Sequence, residues 1–199
     1  MQSLLLKTAG AACFVLTAST VAHAQDCTFD PDKDFFDFEQ AEVDALYSCV
    51  SDRLAEAYAK EGDEIGTVYR DWGVTATGPA APGAHSNRFL LTFANDVAYE
   101  TYVQYGFGDD FSMPVGSVLA KESYSLTKEG EPRPGPLFIM TKVEAGGEAE
   151  EFGNWVYSAV RTNGKPMGIQ QGFCHGCHSA FADQDSMGYP DRDVRFETN

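Results

Sequence analysis

The chain is short of positive charge: 14 Lys and Arg stand against 30 Asp and Glu, a formal net charge of −16 over 199 residues. A surface of that sign repels polyanions, so nucleic acid and anionic lipid are excluded as natural partners. Long apolar runs are missing as well. No stretch after residue 24 approaches the roughly 20 apolar residues that a membrane-crossing helix needs. Internal repeats and low-complexity tracts are absent, which leaves an ordinary packed domain as the expectation. Cysteine is scarce, with five in all, and only one Cys-x-x-Cys occurs.

That one occurrence is the most informative stretch of the chain. Cys174-His175-Gly176-Cys177-His178 reads Cys-x-x-Cys-His, the attachment signature of a c-type haem. Two thiols three residues apart share one face of a helical turn, so each can add to one vinyl group of the macrocycle. The histidine that follows is then carried to the iron as its axial ligand. Cys174 and Cys177 are thus expected to form thioethers to a single covalent haem c, with His178 on the metal. A thioredoxin-like redox pair uses the same spacing, but it opens a helix early in a βαβ unit, and only about twenty residues follow here. A structural zinc site needs a fourth ligand, which no second Cys-x-x-Cys or histidine pair supplies.

The compartment bears on the choice. Residues 1–24 carry one lysine, Lys7, an apolar centre through Ala9 to Leu16, and Ala22-His23-Ala24 as a small-x-small cleavage site. They read as a cleaved export signal, leaving residues 25–199 as a single domain in the periplasm, where haem c is attached and disulfides persist. Cys13 departs with the signal. Cys27 and Cys49 then remain as a pair expected to bridge the mature N-terminus to the first helix.

That helix is expected over 37–60, where Val43, Leu46, Tyr47, Val50, Leu54 and Tyr58 recur at three- and four-residue spacing and Gly62 offers a stop. A Gly/Pro/Ala-rich loop follows over 73–86 and ends near His85, which reads as a solvated or hydrogen-bonded loop histidine ahead of a second iron ligand. Residues 88–94 form a strand and 95–105 a helix capped by Asn95. Further strands are expected over 115–126, 137–143 and 154–162, separated by Gly- and Pro-rich turns. Consecutive strands with short links make an antiparallel meander, and helices at both ends make the class α+β.

A set of ordered motifs runs through this region: His85-Ser86-Asn87-Arg88 with Asn95, the stretch Met113-Pro114-Val115-Gly116-Ser117-Val118-Leu119-Ala120-Lys121-Glu122, then Gly135-Pro136-Leu137-Phe138-Ile139-Met140, Gly153-Asn154-Trp155, and Phe173-Cys174-x-x-Cys177-His178. Together they resemble the cytochrome P460 family, over about 69–195. The leading helix with Cys27 and Cys49 lies outside the resemblance. It implies a small periplasmic haem c protein, largely antiparallel sheet with flanking helices, commonly a homodimer. The family includes hydroxylamine-oxidising enzymes with a five-coordinate, His-ligated haem to which a lysine is cross-linked. It also includes related cytochromes c′ of β type that bind nitric oxide and lack the link.

The family's lysine falls on Lys121. Strand alternation puts Lys121 with Leu119 and Ser123 on one face, and Glu122 with Ala120 and Tyr124 on the other. Without the resemblance Lys121 reads as a solvated strand lysine; with it, its face is expected to meet the haem edge, where burial favours the neutral amine that a cross-link needs. The family's proton-relaying acid falls after Met140. Glu144, which shares a face with Phe138 and Met140, is expected in that role ahead of Glu148. Arg88 is expected to pair with a haem propionate. Phe138 or Trp155 would line an apolar ligand pocket, and Met113, Met140, Met167 and Met187 are available to close the sixth position in a purely electron-transferring cytochrome. An acidic surface suits a basic redox partner protein.

Overall fold

The computed structural model describes residues 27–197, so the expected export signal lies outside the described residues. A seven-stranded antiparallel sheet organises them. Its strands are β1 (Gly73–Val74), β2 (Phe89–Ala94), β3 (Val118–Leu126), β4 (Pro132–Pro134), β5 (Leu137–Lys142), β6 (Trp155–Val160) and β7 (Pro166–Met167). The spatial order is β1-β2-β3-β5-β6-β7, with β4 paired to the far end of β3. This is the antiparallel α+β class expected from the sequence, with the three short strands β1, β4 and β7 added at its margins.

Period-two alternation gives the sheet two different faces. Phe89, Leu91, Phe93, Ala120, Tyr124, Leu137, Ile139 and Val160 point one way, into a core completed by Val43, Leu46, Val50, Leu54, Tyr58 and Tyr69. Ala94, Leu119, Met140, Trp155 and Tyr157 point the other way and pack with Ala98, Tyr102, Tyr105, Met113 and Met187. Each buried large side chain of this kind contributes about 1.5–3 kcal/mol relative to exposure.

The first core is roofed by two helices rather than one: α1 (Gln40–Ser48) and α2 (Ser51–Ala59). The expected apolar stripe is present, but the helix breaks at Cys49 and Val50, where Val50 takes φ −123°. Cys49 is bridged to Cys27, as expected from the cysteine count. The break lies at this anchored residue and keeps Val50, Leu54 and Tyr58 buried with Val43 and Leu46. Glu42 starts α1 by accepting the Glu39 N–H at 2.9 Å.

Two further helices frame the second face. The single turn α3 (Ala84–Asn87) is left-handed, with φ of 55°, 64° and 54° at His85, Ser86 and Asn87. α4 (Asp96–Tyr102) is capped as its sequence dictates: the Asn95 side chain accepts the Ala98 N–H at 3.1 Å. Finally α5 (Gln171–His178) carries the Cys-x-x-Cys-His stretch against β6. None of the described helices is long and apolar enough to cross a membrane.

Candidate functional site

Between α5 and the second face of the sheet lies a cavity of about 760 Å³, within the 300–1,000 Å³ typical of small-molecule and cofactor sites. Its wall is largely apolar, and the thiol, imidazole and cationic groups that reach it come from four places. α5 supplies Cys174, Cys177 and His178; the left-handed turn supplies His85; β3 supplies Lys121; and Arg88 stands just before β2. Residues far apart in sequence, which the motifs had linked only by resemblance, thus share one chamber.

His178 is held from behind. Its Nδ1 lies 2.8 Å from the Ser186 carbonyl, so Nδ1–H donates there and Nε2 is the free nitrogen of the ring. The loop bearing Ser186 is itself braced. Asp185 pairs with Lys142 Nζ at 2.6 Å, both side chains nearly buried. Asp185 Oδ2 accepts the Met113 N–H at 2.8 Å, and the Asp185 carbonyl accepts the Trp155 indole N–H at 2.8 Å. Asp185 and Ser186 both take left-handed backbone angles, at φ 50° and 64°. Sequence reading missed this brace because its members are spread over four elements.

Lys121 sits opposite Thr92 on β2 and Phe138 on β5. Burial lowers its amine to about 8 from the ordinary 10.5. Burial also lowers His85, to about 3, with Lys121, His178 and Arg88 adding to the effect. His85 is therefore not the solvated loop residue that its Gly/Pro-rich surroundings suggested. Its ring packs on Phe138 with centroids 4.4 Å apart. Burial raises the Cys174 thiol, with Cys177 adding to it; neither cysteine is in a disulfide.

Arg88 lines the cavity with no ion pair among the described residues, and burial lowers its guanidinium, helped by Arg133. A half-buried cation without a counterion suits a carboxylate-bearing ligand. Phe138 lines the cavity; Trp155 does not, being fully buried and committed to Asp185. Glu144 and Glu148 are exposed in the turn after β5, which ends at Lys142, so the expected face-sharing of Glu144 with Phe138 and Met140 is lost. Neither glutamate lines the cavity. Asp191, near the C-terminus and exposed, is the carboxylate that does. Met140, Met167 and Met187 border the chamber, whereas Met113 is buried in the packing behind it.

The donor set fits a haem: an apolar chamber of cofactor size, two unbridged thiols three residues apart on one helix, an imidazole with a free Nε2, and a cation near the rim. Among the described residues no three His, Cys, Asp or Glu side chains are grouped to hold a metal ion by themselves, so a zinc site would lack its ligands. An antiparallel sheet that closes such a chamber with a terminal Cys-x-x-Cys-His helix defines a haem-binding, iron-binding class of protein. The cytochrome P460 family profile matches residues 67–187, more than half of the chain, and the chain belongs to that family. No curated protein matches it.

Proposed function

We propose that the chain is a periplasmic c-type cytochrome that holds one haem through Cys174 and Cys177, ligates its iron through His178, and oxidises hydroxylamine. The observation that carries this reading is Lys121: its amine faces the same chamber as the attachment helix and is lowered to about 8, so a substantial fraction is neutral near neutral-to-alkaline pH. Bound haem supplies an iron that accepts electrons and binds small nitrogenous molecules. Cys174 and Cys177 would hold the group through thioethers, each thiol adding S–H across a vinyl group with no net oxidation. Lys121 would be the residue to link to the macrocycle edge, an N–C bond in place of one N–H and one C–H, whose formation would give up two protons and two electrons to a peroxide-class oxidant. Arg88 would pair with a propionate of the bound group. Hydroxylamine's electrons leave to a redox partner protein, and its protons leave along the polar rim.

One observation favours a second reading, in which the chain binds nitric oxide without a cross-link. Glu144 stands outside the chamber, and among the described residues the interior offers no buried carboxylate to take substrate protons. An optical spectrum of the reduced holoprotein separates the two. A strongly red-shifted, broadened Soret band that is lost in Lys121→Ala supports the cross-linked oxidase. An ordinary haem c Soret band in the wild type sinks it and leaves the nitric-oxide reading.

A further inference from the structure

A second, smaller cavity of about 360 Å³ is lined by no residue of α5. Arg88 borders both this pocket and the chamber. The sheet builds its floor. Phe89 pairs with Tyr124 at the start of β2, which sets Arg88, one residue earlier, alongside Ser125, one residue later; Ser125 in turn pairs with Arg133 on β4. Two cations thus flank one serine across three adjacent segments. Gly135 makes room for the first of them, since a Cβ there would collide with Arg88 Nη1.

Charge and hydrogen bonding both call for an anion here. The two guanidinia repel each other, and the ion pairs among the described residues engage Lys33, Arg70 and Lys142 instead. Among the described residues no carboxylate lines the pocket, although the chain carries 30. The Ser125 hydroxyl is buried without a hydrogen-bond partner among the described residues, a costly state that a ligand oxygen would relieve. Thr127, also on the wall, accepts the N–H groups of Glu129 and Glu131 through Oγ1 at 3.2 Å each, which leaves its own proton to donate. The far wall is the left-handed turn at Ser86 and Asn87, backbone strain of a kind that persists where a fold clamps a ligand.

We infer that this pocket binds a free tetrahedral oxyanion, of the phosphate or sulfate class, held by Arg88, Arg133 and Ser125 outside the chamber. Donors on the floor and on two walls suit an anion with oxygens in several directions rather than a flat carboxylate. A guanidinium carries five N–H groups, so Arg88 serves the outer anion and a carboxylate inside the chamber at once. The outer anion adds negative charge one side chain away from the chamber, which favours the oxidised form of a redox group bound there. Binding of the anion does not depend on the haem reading above; only this last effect rests on it.

The experiment titrates purified holoprotein with inorganic phosphate in a calorimeter at low ionic strength. One saturable site is expected, with sulfate competing for it. Arg133→Gln and, separately, Ser125→Ala are each expected to weaken binding roughly tenfold, with haem staining on a denaturing gel and the optical spectrum unchanged. In a redox titration, phosphate is expected to lower the wild-type midpoint and to leave that of Arg133→Gln where it was. Wild-type holoprotein that takes up no phosphate overturns the inference, as does binding that neither variant weakens. If, in addition to that missing uptake, Arg133→Gln moves the midpoint in phosphate-free buffer, the partner of Arg133 is a propionate and the inference is again overturned. Haem staining that is absent overturns the haem reading, and the phosphate titration is then read in the same way.

Discussion

At the scale of single residues, neighbours in sequence have opposite assignments. Lys121 faces the chamber, while Glu122 is fully buried on the other side of the sheet. There it accepts Tyr47 Oη–H at 2.8 Å, a short bond from the Tyr69 hydroxyl, and Arg70 Nε–H at 2.7 Å. Burial pushes the Glu122 carboxyl up, against the pull of Arg70 and then the two tyrosines. A group whose folded value is raised contributes stability below its ordinary value near 4.5 and loses it as pH rises through the raised one. Unfolding by urea is therefore expected to show stability falling with pH across that window, and Glu122→Gln to remove the slope. Tyr69→Phe, which takes one donor from the buried carboxylate, should cost about 1–2 kcal/mol in the same assay. Glu122 was legible only as an inward-facing strand position; its partners come from α1 and from the turn before β1, which alternation within one strand does not reveal.

The elements were easier to read than their ends. The Asn95 cap, the four long strands and the attachment helix carry local signals, namely a capping side chain, alternation and a fixed spacing, and all appear near their expected places. The break between α1 and α2 was not legible, because the heptad-like stripe continues through Val50 while the backbone does not. Glu144 lies off the face of Phe138 and Met140 for a similar reason: β5 ends two residues before it, and alternation lapses with the strand. The Cys27–Cys49 bridge ties the start of the chain to that break. Replacing both cysteines by serine should lower stability by about 2–4 kcal/mol in chemical denaturation, with the optical spectrum unchanged. The loop 185–186 is different, since it supports His178. Asp185→Asn leaves Lys142 without its buried counterion and loosens the Ser186 carbonyl. It should both destabilise the fold, by about 3 kcal/mol or more, and shift the haem reduction potential measured by redox titration, a pairing that a distant core substitution would not produce.

For the whole molecule, charge dominates. The net value of −16 creates a field that a cationic electron carrier follows inward and an anionic one does not. Stopped-flow reduction by hexaammineruthenium(II) should slow steeply between low and high salt, because screening shortens the reach of the field to about 8 Å at physiological ionic strength. Oxidation by ferricyanide should respond in the opposite direction. Equal salt dependence for both probes would mean that the exposed haem edge has a local charge unlike that of the whole surface.

The pairing of β3 with β2 and β5 has one more consequence. Thr92 and Phe138 flank Lys121 in a register that sends the ammonium to the chamber and the carboxylate of Glu122 to Arg70. A slip of one residue would exchange them, setting an ammonium beside a guanidinium among tyrosines and a carboxylate against an apolar cofactor wall. Both errors are costly at once, so the adjacent Lys-Glu pair disfavours the slipped register relative to the observed one.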